Sequence, residues 1–354
     1  MAKIWTVAVI GCGIGRTHIL EGYSRNPDKF RVLALCDLDQ ARLAAVGDEF
    51  AIPRRTTSFD EVLRMDNVEI VDICTPPALH VPQALAALAA GKEVVCEKPL
   101  AGSLADVDRL IAAERAATTR IMPVFQYRIG NGLQKARRIV DRGLAGKPYL
   151  ATVETAWKRT PTYYETPWRG RWKTEFGGVL LTHAIHSHDL MTYLMGPVAS
   201  VFARAATRVN PIEVEDCAVA SLVMESGALV SLAATLGSQK EISRLRFCFE
   251  HVTFDSSQRP YSPGDDPWEI IPASPEAADR IADALAAHCL VPSRFEGLIA
   301  AYHAALAANG ALPVTLADAR RSLELVTALY HSAANGTVVT LPIAADHPSY
   351  NGWR

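Results

Sequence analysis

The stretch Val94-Val95-Cys96-Glu97-Lys98-Pro99-Leu100 carries an apolar run into two opposite charges and a proline. It reads as a buried strand that stops at Pro99, because proline cannot donate to a sheet ladder. In an open α/β sheet, ligands bind in the crevice outside the carboxyl ends of the strands. A lysine delivered to that edge can set a positive charge and a hydrogen-bond donor against a reacting oxygen. The plainer account is a strand-end ion pair between Glu97 and Lys98.

A second group of polar residues follows Gly177-Gly178, in a helical stretch spanning 179–194 that holds Thr182, His183, His186, His188 and Asp189. On a regular helix His183 and His186 share a face, Asp189 lies just beyond, and His188 points about 160° away from His186. Imidazole suits proton transfer because its ordinary pKa lies near neutrality. His183, His186 and Asp189 also have the spacing of metal ligands, although histidines three apart are common on polar helix faces. His188 is expected to be hydrogen-bonded within the fold or turned to solvent. A third group is the turn-rich run T-P-T-Y-Y-E-T-P-W-R-G-R-W, with Tyr163, Trp168, Arg169 and Trp172. Aromatic faces pack against the C–H faces of a polyhydroxylated molecule while guanidinium forks take its oxygens. The same loop could equally pack against its own domain or a partner subunit.

The flanking segments say what positions these groups. Ile4 to Ile10 is a near-continuous apolar run, as expected of a strand buried on both faces of a parallel sheet. It meets Gly11-Cys12-Gly13-Ile14-Gly15-Arg16-Thr17-His18 and then a helical stretch. Gly11 permits a tight turn, and Gly13 lets backbone N–H groups approach a pyrophosphate at a helix N-terminus. The third glycine of G-x-G-x-x-G would fall at Arg16; Gly15 comes one place early. A second strand, Arg31 to Cys36, closes with Asp37, 26 positions after Gly11. An acid there binds the adenosine ribose and repels the extra phosphate of NADP, so NAD is favoured. Asp37 could instead cap the next helix, as could Asp39. A strand 68–74 then ends in Thr75-Pro76-Pro77, with His80 opening an alanine-rich helix. The alternation continues through the Lys98 strand, a helix 104–117 and a strand 120–125, which is the pattern of a doubly wound parallel sheet. Beyond Gln126-Tyr127-Arg128 and a helix 133–142, period-2 segments such as Ser243–Phe249 predict half-buried antiparallel strands.

Composition sets the outer limits. At 354 residues the chain exceeds the roughly 250–300 at which a single core stops growing, so two domains are expected. Net charge is −2 with no basic stripe, which argues against a nucleic-acid partner. No apolar run approaches the ~18 residues of a membrane span. Met-Ala-Lys-Ile-Trp passes straight into the first strand without a signal-peptide pattern, so the expected location is cytoplasmic. The 7 cysteines form no C-x-x-C pair and read as reduced, small apolar residues.

In order along the chain stand G-x-G with a following His, a strand-end Asp, T-P-P-x-x-H, and A-G-K-x-V-x-x-E-K-P-L-A. This series resembles the glucose–fructose oxidoreductase, inositol dehydrogenase and MocA (Gfo/Idh/MocA) family over roughly residues 4–342; its most specific piece is Ala90 to Ala101. The resemblance implies an NAD(P)-dependent oxidoreductase acting on a secondary hydroxyl of a sugar, polyol or related ring, in either direction. The expected architecture is α/β: a Rossmann domain over 1–125, then an α+β domain over 126–354 with a large, mostly antiparallel open sheet. The outer face of that sheet would form a homodimer or homotetramer contact. Lys98 becomes the catalytic-site lysine that orients the reacting oxygen. Thr75, Pro76, His80, Glu97, Lys98 and Gln126 join Gly11, Gly13, Ile14, Gly15 and Asp37 around the cofactor. G-G-x-L-L-x-x-x-x-H-x-x-D resembles the helix bearing the family's acid/base histidine, which places that role, without a metal, on His186 and the motif's last acid on Asp189. Expected substrate contacts are Lys98, Arg128, Tyr163, Trp168, Arg169, Trp172, Thr182, His183 and His186. One departure stands out. Many members carry aspartate four residues before that histidine, where this chain has Thr182, so inositol specificity does not carry over with the chemistry. Two other readings stay open: an NAD-dependent glycosidase using transient oxidation, and a non-catalytic NAD-binding sensor.

Overall fold

The computed structural model describes residues 3–353; Met1 and Ala2, at the head of the N-terminal stretch, and Arg354 lie outside the described residues. The chain forms two compact units, one running through Gln126 and including Phe295–Arg320, the other made of Tyr127–Arg294 and the chain from Arg321 onward. The single division expected after residue 125 is therefore amended: 295–320 returns to the first unit. Packing explains the return. Phe295 lies 4.7 Å from the His18 ring, and the buried Tyr302 stacks on Phe30 at 6.3 Å.

In the first unit, strands β1 (Trp5–Ile10), β2 (Phe30–Cys36), β3 (Arg54–Thr56), β4 (Ile70–Ile73), β5 (Glu93–Cys96) and β6 (Ile121–Pro123) make one parallel sheet in the order β3-β2-β1-β4-β5-β6. Val7, Ala8 and Val9 are fully buried, as strands covered on both faces must be. The chain reverses its direction of winding between β1 and β4, the switch point where ligands enter such sheets. Register sets the strand ends in a row: Ile10 pairs with Cys36 and Ile73, and Ile73 with Cys96. Gly11, Asp37, Cys74 and Glu97 follow directly, so residues far apart in sequence share one sheet edge. The helix Gln40–Glu49 is capped by Asp39, which accepts from the Arg42 N–H at 3.0 Å. Asp37 is thus not the cap.

The second unit is built on an eight-stranded sheet in the order β13-β12-β11-β7-β10-β9-β8-β14. Its strands are β7 (Pro148–Lys158), β8 (Val198–Ala206), β9 (Cys217–Met224), β10 (Leu229–Thr235), β11 (Gly237–Phe249), β12 (Val252–Asp255), β13 (Glu269–Pro272) and β14 (Val339–Thr340). All pairings are antiparallel except that of β7 with β10. Burial alternates along β10 and β11, with Leu232 and Phe247 inside. The helix Ile185–Met195 covers the inner face, tied to it where Ser187 Oγ meets Thr155 Oγ1 at 2.9 Å. The chain end, expected to be a surface strap, is anchored by Trp353, whose indole N–H donates to the Phe176 carbonyl at 2.7 Å. Among the described residues no helix is long and apolar enough to cross a membrane.

Candidate active site

In the first unit the candidate residues gather at the carboxyl edge of the parallel sheet. Gly11 has φ +92°, and a Cβ there would lie 2.6 Å from the Cys74 carbonyl oxygen, so both turn and packing require glycine. A Cβ on Gly13 would meet nothing within 4 Å among the described residues, leaving bare backbone facing open space. Gly15 packs its helix onto β1, where a Cβ would lie 2.6 Å from Val9 Cγ1. Gly15 thereby does the helix–strand packing job of the third glycine in the dinucleotide fingerprint, one position early. Ile14, exposed, begins the helix Ile14–Glu21.

Asp37 is fixed on this loop: its carboxylate accepts the Cys12 N–H at 2.7 Å and the Asp39 N–H at 2.9 Å. Arg42 stands 3.6 Å from Asp37 and 3.2 Å from Asp39. Across the edge, Pro76 leads into the turn Pro77–Leu79, and the Thr75 hydroxyl donates to Gln83 Oε1 at 2.7 Å. Gln126 is buried, and its Oε1 has no hydrogen-bond partner among the described residues. A bare glycine backbone, a held strand-end carboxylate and an orphaned amide oxygen together fit a dinucleotide. The buried thiols of Cys12 and Cys36 are pushed up to about 12 and about 11 by burial first and then by Asp37, so both stay neutral.

Lys98 is half-buried at the end of this edge, between Glu97 and a cis bond to Pro99. The ion-pair account of Glu97 misses its main partner. Glu97 Oε1 lies 3.0 Å from His18 Nε2, while Oε2 accepts the backbone N–H of Lys98 at 3.0 Å. The other ring nitrogen of His18 lies 2.9 Å from Asp72, a fully buried acid in the middle of β4, and 3.4 Å from Cys74 Sγ. Burial alone would lower the His18 pKa, but Asp72, with Cys74, turns the net shift well upward. His18, Asp72 and Cys74 lie within 4.8 Å of one another and could hold an ion; hydrogen bonds suffice to explain spacings this short. His80, expected to touch the cofactor, is buried with its ring nitrogens 2.8 Å from the Pro99 carbonyl oxygen and 2.7 Å from that of Thr75.

In the second unit the candidate residues begin with an irregularity. The single helix expected over 179–194 is instead a wide, π-type turn, Val179–His183, followed by the α-helix Ile185–Met195. Glu215 is the cause. Its carboxylate accepts the N–H groups of Gly178 (3.0 Å) and Leu180 (2.9 Å) and the Tyr330 hydroxyl (2.9 Å). A Cβ on Gly178 would lie 1.7 Å from the Glu215 carbonyl oxygen, so the glycine pair is what admits this acid. Burial pushes the Glu215 carboxyl up to about 7 against the pull of those bonds.

The histidines consequently face different surroundings. His183 Nδ1 lies 2.8 Å from the Thr182 hydroxyl, and its ring meets Trp157 edge-on at 5.5 Å and Tyr163 at 5.8 Å. His186 packs on Tyr127 with centroids 4.3 Å apart. Asp189 turns to Arg128, which forks onto it with two bonds of 2.6 Å, and to Ser322 at 3.3 Å. His183, His186 and Asp189 therefore do not form one ligand face. Arg128 is itself buried and spends its fork on Asp189 instead of presenting it at a surface. The His188 ring is neither hydrogen-bonded nor solvent-facing: the residue is fully buried, neither ring nitrogen has a hydrogen-bond partner among the described residues, and burial pulls its pKa down to about 3.

In the aromatic loop, Arg169 stacks 4.0 Å over Tyr163 and 4.3 Å over Trp168, and pairs with the buried Glu175 at 3.7 Å. Trp172 donates its indole N–H to the Glu213 carbonyl at 2.8 Å and meets Tyr330 at 5.4 Å. Much of this loop is thus packed on its own unit. Sequence patterns gave no role to His18 or Asp72, to Tyr127 and Trp157 beneath the histidines, or to Glu215. Only His18 carried a signal, as the histidine after the glycine loop.

A doubly wound sheet with a dinucleotide loop, a lysine at its carboxyl edge and a histidine-bearing helix on a second, open sheet defines a two-unit Rossmann oxidoreductase. Residues 5–125 match the family model described as an oxidoreductase family with an NAD-binding Rossmann fold, and 133–254 match the GFO/IDH/MocA C-terminal domain. The chain belongs to the GFO/IDH/MocA family. It is 30% identical over 232 residues to myo-inositol 2-dehydrogenase of Thermotoga maritima, an alignment spanning 63% of this chain and 66%, just under two thirds, of that one. It is 26% identical to a D-apiose dehydrogenase of Rhizobium rhizogenes over 94% of this chain and 96% of the relative. Among solved structures, the WlbA dehydrogenase of Bordetella pertussis in complex with NADH and UDP-GlcNAcA superposes with TM-score 0.85 at 28% identity, covering 97% of this chain and 100% of that one.

Proposed function

We propose that this protein is an NAD-dependent dehydrogenase that oxidises a secondary hydroxyl of a sugar, polyol or related ring, or runs the reverse reduction. The observation that carries this reading is the register that sets Gly11, Asp37 and the Glu97-Lys98 turn along one sheet edge. The relatives, a myo-inositol 2-dehydrogenase and a D-apiose dehydrogenase, and the WlbA dehydrogenase in complex with NADH and UDP-GlcNAcA support the substrate class. In the oxidative direction His186 takes the hydroxyl proton as general base, held in place by the Tyr127 ring. Lys98 donates to the same oxygen and favours its developing negative charge. A bound nicotinamide would supply the acceptor for the hydride that leaves the carbinol carbon. Gly13 and the neighbouring N–H groups hold the pyrophosphate, and Asp37 the ribose, which favours NAD over NADP. Thr182, His183 and the exposed edge of the aromatic loop sort substrates; Arg128 serves by fixing Asp189. A second copy of the chain covers the outer face of the large sheet, where Leu150, Leu229 and Val223 form an exposed row across three strands.

A panel of pyranoses, inositols and sugar acids, each offered with NAD and NADP and followed by cofactor absorbance, tests the reading. Reduction of NAD by at least one of them, abolished in Lys98→Ala and His186→Ala, is the expected result. Normal turnover in both folded variants would remove the assignment, and release of free sugar without net NADH would replace it with transient oxidation.

A further inference from the structure

We propose that His18 and His80 are positioning residues for Lys98, bracing the three-residue turn that carries it from two sides; the proposal rests on the reading of Lys98 as the group that meets the reacting oxygen. Each residue of the turn is held by a different bond. Glu97 is fixed through its carboxylate to His18 at 3.0 Å, Lys98 through its backbone N–H to the same carboxylate at 3.0 Å, and Pro99 through its carbonyl to His80 at 2.8 Å. The Glu97 N–H also donates to the Ile73 carbonyl at 2.9 Å, which ends the β5 ladder at this turn.

The chemistry of the His18 pocket makes the brace directional. Two carboxylates lie at 2.9 and 3.0 Å from opposite ring nitrogens, and ionised carboxylates only accept, so the imidazolium donates to both. It therefore ties the Lys98 turn to Asp72 in the central strand. The groups facing it are Asp72 from β4, Cys74 just past its end and Glu97 from the turn, with the uncharged Phe295 ring on another side; the buried Tyr23 neighbours Asp72. Removing the imidazolium strips one donor from a buried carboxylate, which then reorients or takes a proton and releases the Lys98 N–H. His80 acts separately, joining the Pro99 carbonyl to that of Thr75 across the edge; its neutral ring donates to one and its charged ring to both. The histidines of G-x-G-x-G-x-x-H and T-P-P-x-x-H thus share a purpose distinct from holding the cofactor.

The test needs no substrate. Trace labelling of amines by acetic anhydride, followed over pH and read by peptide mass spectrometry, compares Lys98 with the exposed Lys240 as internal standard. In folded His18→Gln or Glu97→Gln protein the Lys98 profile should move by about one pH unit, or about tenfold in rate, relative to Lys240. The double His18→Gln/Glu97→Gln variant should match the single ones, because the two act through one bond, whereas His80→Gln should add to His18→Gln. Glu97→Gln keeps the side-chain shape and carries the test if His18→Gln does not fold. An unchanged Lys98 profile in a folded variant, or full additivity of His18→Gln with Glu97→Gln, would overturn the proposal. If the shifts appear while Lys98→Ala keeps normal turnover, the brace stands and the catalytic reading falls.

Discussion

The two units surround their buried histidines differently. In the first, His18 and His80 each have both ring nitrogens within 3.0 Å of an oxygen, from two carboxylates or two carbonyls. In the second, His183 and His186 lie against aromatic rings, His183 with a bond to the Thr182 hydroxyl besides, and neither ring nitrogen of His188 has a hydrogen-bond partner among the described residues. A polar network has one satisfied arrangement and specifies geometry tightly. Packing against rings and aliphatic groups holds a side chain by shape and tolerates change among its neighbours. The sheet edge thus has the character of a fixed frame, and the histidine helix that of an element held largely by shape.

The sharpest way to break this contrast is at the two groups assigned to the reacting oxygen. Lys98→Ala and His186→Ala should each lower kcat/KM on the order of 10³–10⁴-fold, and the double variant should be little worse, since groups acting on one oxygen are not additive. Steady-state kinetics on whichever alcohol the panel identifies checks this, with melting temperature as the control for folding. Multiplicative losses would mean the two units contribute independent steps.

The next effect is on stability. His188 is neutral in the fold, with its pKa pulled to about 3, while the unfolded chain takes up a proton at its ordinary value near 6.5. Its contribution is fully present above pH 6.5 and is lost as pH falls through that value toward 3, by roughly 4–5 kcal/mol at full extent. His188→Leu should therefore flatten the acid limb of a denaturation profile and raise stability at pH 5. His18 supplies the contrast: its folded pKa is raised, so its contribution is complete below 6.5 and is lost only as pH rises through the raised value. An acid limb unaltered in His188→Leu would show that the His188 ring itself has a polar partner in the fold.

What the sequence made legible follows the same divide. Strand ends of a parallel sheet are marked locally, by an apolar run stopped by Gly11, Asp37 or Thr75-Pro76, so the sheet edge could be assembled from spacing and family likeness. The bonds that make that edge rigid could not. His18 sits on a helix and Asp72 inside β4, 54 positions apart, and nothing local marks them as partners. Likewise the period of 179–194 predicts one regular helix, but Glu215, 37 positions beyond Gly178, inserts its carboxylate and widens the first turn. Arg128 looked like a substrate fork because its partner Asp189 lies 61 positions away. Local pattern reports an element; it does not report a long-range acid that bends it.

Glu215 sharpens the comparison from the other side, as a dense polar node in the second unit. With its carboxyl raised to about 7 from an ordinary 4.5, the folded state holds the proton more tightly than the unfolded one. Stability from this group is fully present below pH 4.5 and is lost as pH rises through 7, by roughly 3 kcal/mol. The sign is opposite to that of His188, so denaturation profiles of Glu215→Gln and His188→Leu should differ from the parent on opposite limbs. If Glu215→Gln leaves the neutral limb unchanged, the wide turn at Val179–His183 does not depend on that acid's protonation.

The smallest effect expected is at Asp37, where the first unit's rigidity can be separated from its charge. Asp37→Asn keeps an oxygen to accept the Cys12 N–H, so the loop stays in place while the repulsion of a 2′-phosphate disappears. Arg42, 3.6 Å from that carboxylate in the parent, loses one of its two acidic neighbours and becomes the nearest cation for such a phosphate. The NAD-to-NADP preference in kcat/KM should fall by about tenfold, near 1.4 kcal/mol. Adding Arg42→Ala should return part of it, because both the acid that repels and the base that attracts are then gone. If the preference is instead unchanged in Asp37→Asn, cofactor choice is set by backbone shape at the glycine loop and the carboxylate serves chiefly to hold Cys12.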